Sequence, residues 1–195
     1  MKRIFDILVS AFGIVLCTPI WLIVPIAIKL DSKGPVFYRQ IRVGRHNKDF
    51  AIFKFRSMYV DSDKGSLITI GGRDNRITRV GYYLRKCKID ELPQLFNVFL
   101  GDMSFVGPRP EVRRYVDLYT PEQLQVLELR PGITDAASIK YRNENELLAA
   151  QADPEKYYIE VVMPDKLSIN LAYLHHHNIW IDLRLICQTI LTILH

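Results

Sequence analysis

At 195 residues the chain is long enough for one domain with a real core and an appendage, and too short for two full-sized domains. A composition of 49% hydrophobic and 24% charged residues, with no low-complexity tract or internal repeat, argues against a disordered chain and a solenoid. The formal net charge of +5 calls for an anionic partner without choosing among nucleic acid, lipid headgroups and a phosphorylated substrate.

The first element runs from Ile7 to Ile28, "ILVSAFGIVLCTPIWLIVPIAI", and carries no charge. Its length is that of a membrane-spanning helix, about 20 apolar residues, and it lacks the small-residue cleavage site of a secretory signal. Pro19 cannot donate to the Val15 carbonyl, which predicts a break near the middle, and Pro25 adds a second disturbance. The Thr18 hydroxyl is placed to satisfy a freed backbone group. Lys2 and Arg3 precede the segment while Lys29, Lys33, Arg39, Arg42 and Arg45 follow it, so both ends are drawn to the cytoplasmic side. Two arms of roughly 11 to 15 residues, at about 1.5 Å each, are too short to cross a core about 30 Å thick, and the segment is expected to dip in and return. A single-pass anchor with a proline kink fits the hydropathy equally well.

From Pro35, "PVFYRQIRVGRHNKDFAIFKFRSM" reads as two strands around a turn at Gly44 to Lys48. Alternation in Phe53-Lys54-Phe55-Arg56 puts Lys54 and Arg56 on one face. After a Gly/Asp-rich loop, Gly71 to Gly81, a helical stretch from Tyr82 is interrupted at Asp90 and resumes through Phe96, Val98 and Phe99. Gly107-Pro108-Arg109-Pro110 must be a rigid, non-helical turn that holds Arg109 between two prolines. Thr120-Pro121-Glu122-Gln123 has capping-box spacing and predicts a helix ended by Pro131-Gly132, with further helices opening at Asp153-Pro154 and at Pro164. The last element, from Asn178, is strongly apolar but holds Asp182 and Arg184, which suits a partly buried or interfacial helix. His175 to His177 are sequence neighbours that point to different sides of a helix, a poor arrangement for a metal. Cys17, Cys87 and Cys187 are odd in number and scattered, and read as reduced structural thiols.

The chemistry centres on "KIDELPQL", Lys88 to Leu95. Alone, Asp90 and Glu91 would be read as capping groups in an acidic first turn. Their neighbourhood argues otherwise, because Arg73, Arg76, Arg79, Arg85, Lys86, Lys88 and Arg109 bracket them in sequence. Converging cations would keep Asp90 ionised and seat phosphates, as a pyrophosphate-containing substrate requires. The two carboxylates diverge by about 100° and so can divide the labour, one attacking phosphorus and the other holding a divalent cation.

"IDELPQLFNVFLGDMSFVGPRPE", with "KRIFD", "KLDSKGPVFYRQIRVGR", "FKFRSM" and "RPGIT", resembles the small, single-domain monotopic phosphoglycosyl transferases among the bacterial sugar transferases. The resemblance implies transfer of a sugar 1-phosphate from a nucleotide diphosphate sugar, usually a UDP-sugar, to undecaprenyl phosphate, with release of UMP. It makes Asp90 the nucleophile of a covalent phosphosugar intermediate, Glu91 a Mg²⁺ ligand, Arg85 and Arg109 phosphate contacts, and Thr18-Pro19 the turn of a re-entrant helix. Lys54 and Arg56 are carried over as further substrate contacts. The fold so implied is α+β and mainly helical, with a membrane hairpin over residues 1–33, a short β-hairpin, and a catalytic domain over residues 34–195. The expected setting is the cytoplasmic face of the bacterial cell membrane, with the sugar donor, polyprenyl phosphate, membrane lipids and a second copy of the chain in a homodimer as partners. Many relatives place a glycine after "RPGIT", whereas this chain has Asp135, so the donor contacts of residues 130–146 and the role of Asp135 stay open. A polyprenyl pyrophosphate hydrolase and a non-catalytic polysaccharide-assembly factor are the rival readings. A nucleic-acid binder leaves the acidic pair and Arg109 without a role.

Overall fold

The computed structural model describes residues 2–60 and 75–194, so Arg73 and the start of the expected loop, residues 71–74, lie outside the described residues. Helix α1 (Lys2–Leu16) and helix α2 (Thr18–Asp31) form a pair bent by 59°. The cause is local: Pro19 has no N–H for the Val15 carbonyl, and the Thr18 hydroxyl donates to that oxygen at 2.6 Å. The Trp21 indole donates to the Ile14 carbonyl at 2.8 Å, satisfying a second acceptor at the same break. Pro25 lies within α2 without ending it. No single described helix is long and apolar enough to cross a membrane, whereas the bent pair together has that length and apolarity.

The pair buries one face and exposes the other. Val24 and Ile28 pack with Phe55 and Leu84, and the Trp21 ring sits 5.6 Å from Phe55 and 5.3 Å from Phe96. Leu8, Phe12, Val15, Leu22, Ile23 and Ile26 point outward and stay exposed. So large an apolar surface calls for a covering phase or partner.

Strands β1 (Phe37–Val43) and β2 (Asp49–Phe55) form the expected antiparallel hairpin, with Tyr38 opposite Lys54 and Arg42 opposite Phe50. Helix α3 (Arg79–Lys86), a 3₁₀ turn at Ile89–Glu91 and helix α4 (Gln94–Leu100) follow. Fully buried Asn97 on α4 accepts from Phe53 N at 3.0 Å and donates to Ala51 O at 2.8 Å, so its carboxamide stitches α4 to the edge of β2. At the other end of α4 the unpaired carbonyls of Val98 and Phe99 accept from the Arg3 guanidinium at 2.5 and 2.8 Å. Arg3 thereby ties α1 to the element behind the acidic pair.

The second sheet was not foreseen. Strand β3 (Ser104–Val106) pairs in parallel with β4 (Gly132–Thr134), so Pro131-Gly132 opens a strand as well as closing the segment before it. Gly107 and Gly132 cross so closely that a Cβ on either would lie 2.2 Å from backbone atoms on the opposite side. The capping box at Thr120 does form, with reciprocal bonds between Thr120 and Gln123, but the turn it opens (Gln123–Glu128) is 3₁₀ rather than α-helical.

Helices α5 (Arg113–Val116), α6 (Ala136–Lys140), α7 (Glu144–Ala149) and α8 (Pro154–Tyr157) are short. Asp153 caps α8 as expected, through Lys156 N at 3.0 Å. A π-helical turn over residues 158–162 then leads into α9 (Met163–His176), so Pro164 sits in the first turn of a continuing helix. Tyr115, Val126, Leu148, Tyr158, Val162, Met163 and Leu167 make the core beneath.

Helix α10 (Ile179–Leu194) is partly buried. Leu185 packs on Val106 and Tyr173, while Trp180, Ile190 and Leu191 remain exposed. Buried Asp182 takes the Lys2 ammonium at 2.6 Å and the Tyr173 hydroxyl, and Lys2 also donates to Val106 O at 2.9 Å. This knot joins the start of α1, the end of β3 and α10. Asp182→Ala strands the Lys2 charge and a buried hydroxyl, with an expected loss of about 2 kcal/mol measured by thermal unfolding.

Candidate active site

The acidic pair is aimed by a backbone interruption. Lys88 adopts a left-handed conformation (φ 57°), which stops α3 and turns the chain into the 3₁₀ segment that carries Asp90 and Glu91. Neither caps α4, whose N-cap is Pro93 with no side-chain bond. Both instead line a cleft of about 770 Å³, within the usual size of small-molecule sites.

The six charged residues given site roles from the sequence line this cleft, Lys54, Arg56, Arg85, Asp90, Glu91 and Arg109; of the other bracketing cations that are described, Arg76 and Lys88 join them, and Arg79 and Lys86 do not. Their uses differ. Glu91 Oε1 accepts from Lys54 Nζ at 3.1 Å and from Arg109 at 2.9 Å, so one carboxylate oxygen organises two cations from β2 and the Pro108–Pro110 turn. Asp90 is 8% exposed and its Oδ1 is buried with no hydrogen-bond partner. Arg56 is buried and committed to the chain leaving α2, with bonds to Pro35 O at 2.6 Å, Ser32 Oγ at 2.8 Å and Ser32 O at 2.9 Å. It fastens the hairpin to the cleft wall. Thr18 and Pro19 lie at the helix break, as described.

The electrostatics separate the two acids. Burial pushes the Asp90 pKa up, the Glu91 charge adds to this, and Lys54, Arg85 and Lys88 pull the other way without winning. For Glu91 burial also acts upward, but Arg109 and Lys54 together outweigh it and hold the carboxyl well below the usual range. Lys54 is lowered by burial against the opposing pull of Glu91. One carboxylate is firmly ionised and bonded; its neighbour in the cleft lining is a less acidic carboxyl with one unsatisfied oxygen.

Magnesium is commonly bound by one or two carboxylates together with substrate phosphates and waters. Glu91 fits that pattern, because it has a second oxygen besides the one shared by Lys54 and Arg109. Among the described residues no cluster of three or more His, Cys, Asp or Glu could hold an ion alone.

Asp135, whose role the sequence left open, holds the Arg109 turn. Its Oδ2 accepts from Arg109 N at 2.7 Å while its Oδ1 caps α6 through Ser138 N at 2.5 Å. The residue is buried. Asp135→Ala frees the Arg109 backbone and uncaps α6; the expected result is a fall of about tenfold in kcat, checked by steady-state kinetics beside Asp135→Asn.

Sequence reasoning also missed the wall beyond Lys54. Arg42 bonds Glu111 at 3.1 Å, Tyr158 donates to the other Glu111 oxygen at 2.6 Å, and Lys166 pairs with Glu144 at 2.6 Å. The signal for Arg42 was present, since alternation in β1 sets Tyr38, Gln40 and Arg42 on the face that Tyr38 shares with Lys54. The partners from α7 and α9 carry no local pattern that announces them.

Known proteins match the chain over its whole length. The family model described as bacterial sugar transferase matches residues 1–195. A UDP-N-acetylgalactosamine-undecaprenyl-phosphate N-acetylgalactosaminephosphotransferase of Aeromonas hydrophila is 40% identical, over 100% of this chain and 44% of its own. A UDP-glucose:undecaprenyl-phosphate glucose-1-phosphate transferase of Klebsiella pneumoniae is 39% identical over 97% of this chain and 39% of its own. One of the same name from Caulobacter vibrioides is 34% identical over 99% of this chain and 69% of its own. The chain thus spans less than half the length of the first two relatives.

Proposed function

The chain belongs to the bacterial sugar transferase family, and from that premise we propose that it moves a sugar 1-phosphate from a UDP-sugar to undecaprenyl phosphate, releasing UMP, as the first step in building a membrane-linked glycan. The observation that carries the reading is the unpartnered, buried Asp90 oxygen beside a Glu91 whose Oε1 already binds Lys54 and Arg109. That carboxylate has no hydrogen bond at Oδ1 to give up before it reacts.

In the first step an Asp90 carboxylate oxygen forms a bond to the β-phosphorus, and the bond from that phosphorus to the bridging oxygen breaks, its electron pair leaving with UMP. In the second an oxygen of undecaprenyl phosphate bonds to the same phosphorus and the Asp90 carboxylate is released. Arg109, Lys54 and Arg85 offset the charge of the phosphates, and the fixed ion pair at Glu91 means that this positive field is set before the donor arrives. Mg²⁺ held by Glu91 together with the donor phosphates would supply further neutralisation at the leaving oxygen.

The bent pair α1–α2 dips into the cytoplasmic leaflet in this reading. Support comes from its exposed apolar face, its basic flanks, and Arg56, which binds the chain at the hairpin exit to the cleft. A lipid phosphate at the membrane surface then lies within reach of a donor from the cytosol. The test offers a panel of UDP-sugars and polyprenyl phosphate to detergent- or lipid-solubilised protein and follows products by mass spectrometry. A lipid-linked sugar diphosphate plus UMP is expected. Free phosphosugar formed with or without the lipid would mean a hydrolase, and no turnover of any donor would favour a non-catalytic assembly factor.

A further inference from the structure

The phosphate site occupies only part of the cleft. Strand β1 serves as a ruler: Tyr38 stands level with Lys54, and Arg42 lies four residues farther from the hairpin, about 13 Å at roughly 3.3 Å per residue. Past Arg42 the cleft continues to Glu144, Asn145 and Lys166. Its wall is already built, because Tyr158 and Arg42 are both locked on Glu111, the Lys166 ammonium pairs with Glu144, and that ammonium lies 5.5 Å from the Tyr158 ring centre.

Two carboxylates, Glu111 and Glu144, line this far end. Each is paired with a cation, Glu111 with Arg42 and Glu144 with Lys166, so this end has no surplus positive charge to seat a phosphate and suits a neutral group rich in hydroxyls and amide-like edges. Both the sugar and the nucleoside of the donor answer to that description, and reach decides between them. The hexose is joined to the β-phosphorus through a single oxygen, so it stays beside Asp90. The nucleoside is set off by a further phosphate and a methylene, which carries it toward the end remote from the hairpin. The hairpin end must meanwhile stay open to the polyprenyl chain.

Resting on the donor reading above, we propose that the cleft beyond Arg42 is the nucleoside pocket, with Glu144, Asn145 and Lys166 as its recognising side chains. The Glu144 carboxylate can accept from the ribose diol. The Lys166 ammonium and the Asn145 carboxamide can donate to the uracil carbonyl oxygens, and the Asn145 oxygen can accept the imide N–H.

Calorimetric titration of the solubilised full chain with UMP and, separately, with inorganic pyrophosphate tests this. Lys166→Met keeps the apolar stem, and Asn145→Ala alters an exposed residue that the fold does not need. Each is expected to weaken UMP binding about tenfold and to leave pyrophosphate binding unchanged. Unchanged UMP affinity in both variants overturns the pocket, as does an equal loss for the two ligands. A shift in preference among UDP-sugars with UMP affinity intact would assign the same space to the hexose and also overturn it. Failure of the donor reading looks different: the wild-type chain would then bind neither probe and release no UMP.

Discussion

Asp90→Asn is expected to lower sugar-phosphate transfer by roughly ten-thousand-fold, with exchange of labelled UMP into the donor lost in parallel. The substitution is nearly isosteric and removes the carboxylate proposed as nucleophile, while leaving the Lys54–Glu91–Arg109 cluster in place. Donor binding should therefore survive, and the defect should fall on kcat. An Asn variant with full exchange activity would remove Asp90 from the nucleophile's role.

The same variant should be more stable than the parent at neutral pH. Burial and the neighbouring Glu91 charge raise the Asp90 pKa in the folded chain. A carboxyl with a raised folded pKa favours the folded state below the ordinary aspartate pKa, about 3.9, and that contribution disappears as pH rises through the raised value. At neutral pH the ionised group is a cost that the amide avoids. Melting temperatures of the two proteins should thus diverge on going from acid to neutral pH, with the Asn variant higher. Activity should show the complementary limb: attack needs the carboxylate, so the acid limb of kcat against pH should lie above the usual aspartate range and shift if Lys54 or Arg85 is neutralised. A site that gives up stability to keep an unsatisfied oxygen ready for reaction is common in enzymes.

Much of this site was legible because its signals are local. Thr18-Pro19 specifies its own break: the missing N–H and the nearby hydroxyl act within one turn, and the structure uses both. The paired prolines around Arg109 and the alternation that turns Lys54 to the cleft are likewise properties of a few consecutive residues. Parallel pairing of β3 with β4 depends on Gly107 meeting Gly132 across the fold, and three-residue strands leave too little periodicity to detect. Arg56 shows a subtler limit. Alternation correctly put it on the cleft side with Lys54, yet its guanidinium is taken up by Ser32 and Pro35, a contact that only the path of the chain leaving the hairpin creates. Asp135 stood out as a departure from the usual glycine, but its link to Arg109 spans 26 positions and two turns.

Glu91→Gln should be the second most damaging change, with transfer reduced about a hundredfold or more and the Mg²⁺ dependence displaced to higher concentration. The amide keeps one acceptor oxygen but loses the charge that both Lys54 and Arg109 were arranged around. Two cations facing each other without a counter-charge repel and mis-set the phosphate cradle. Stability falls as well, by an expected 2–3 kcal/mol at neutral pH, on the order of losing charge-assisted bonds to two partners. The pH dependence again gives the sign. With its folded pKa held down by Arg109 and Lys54 against burial, Glu91 stabilises the native chain above the ordinary glutamate pKa, about 4.3, and loses that contribution as pH falls toward the depressed value. The gap in stability between parent and variant should therefore narrow on acidification, as it does for Asp90→Asn, but with the opposite sign, since here the parent is the more stable protein at neutral pH. Lys54 supplies an internal check. Burial already lowers its pKa and Glu91 is the main group opposing that, so in the variant its ammonium should lose its proton at a lower pH, measurable by amine labelling. Wild-type Mg²⁺ dependence together with an unmoved Lys54 would show that Glu91 neither holds the metal nor sets the field around the reacting phosphates.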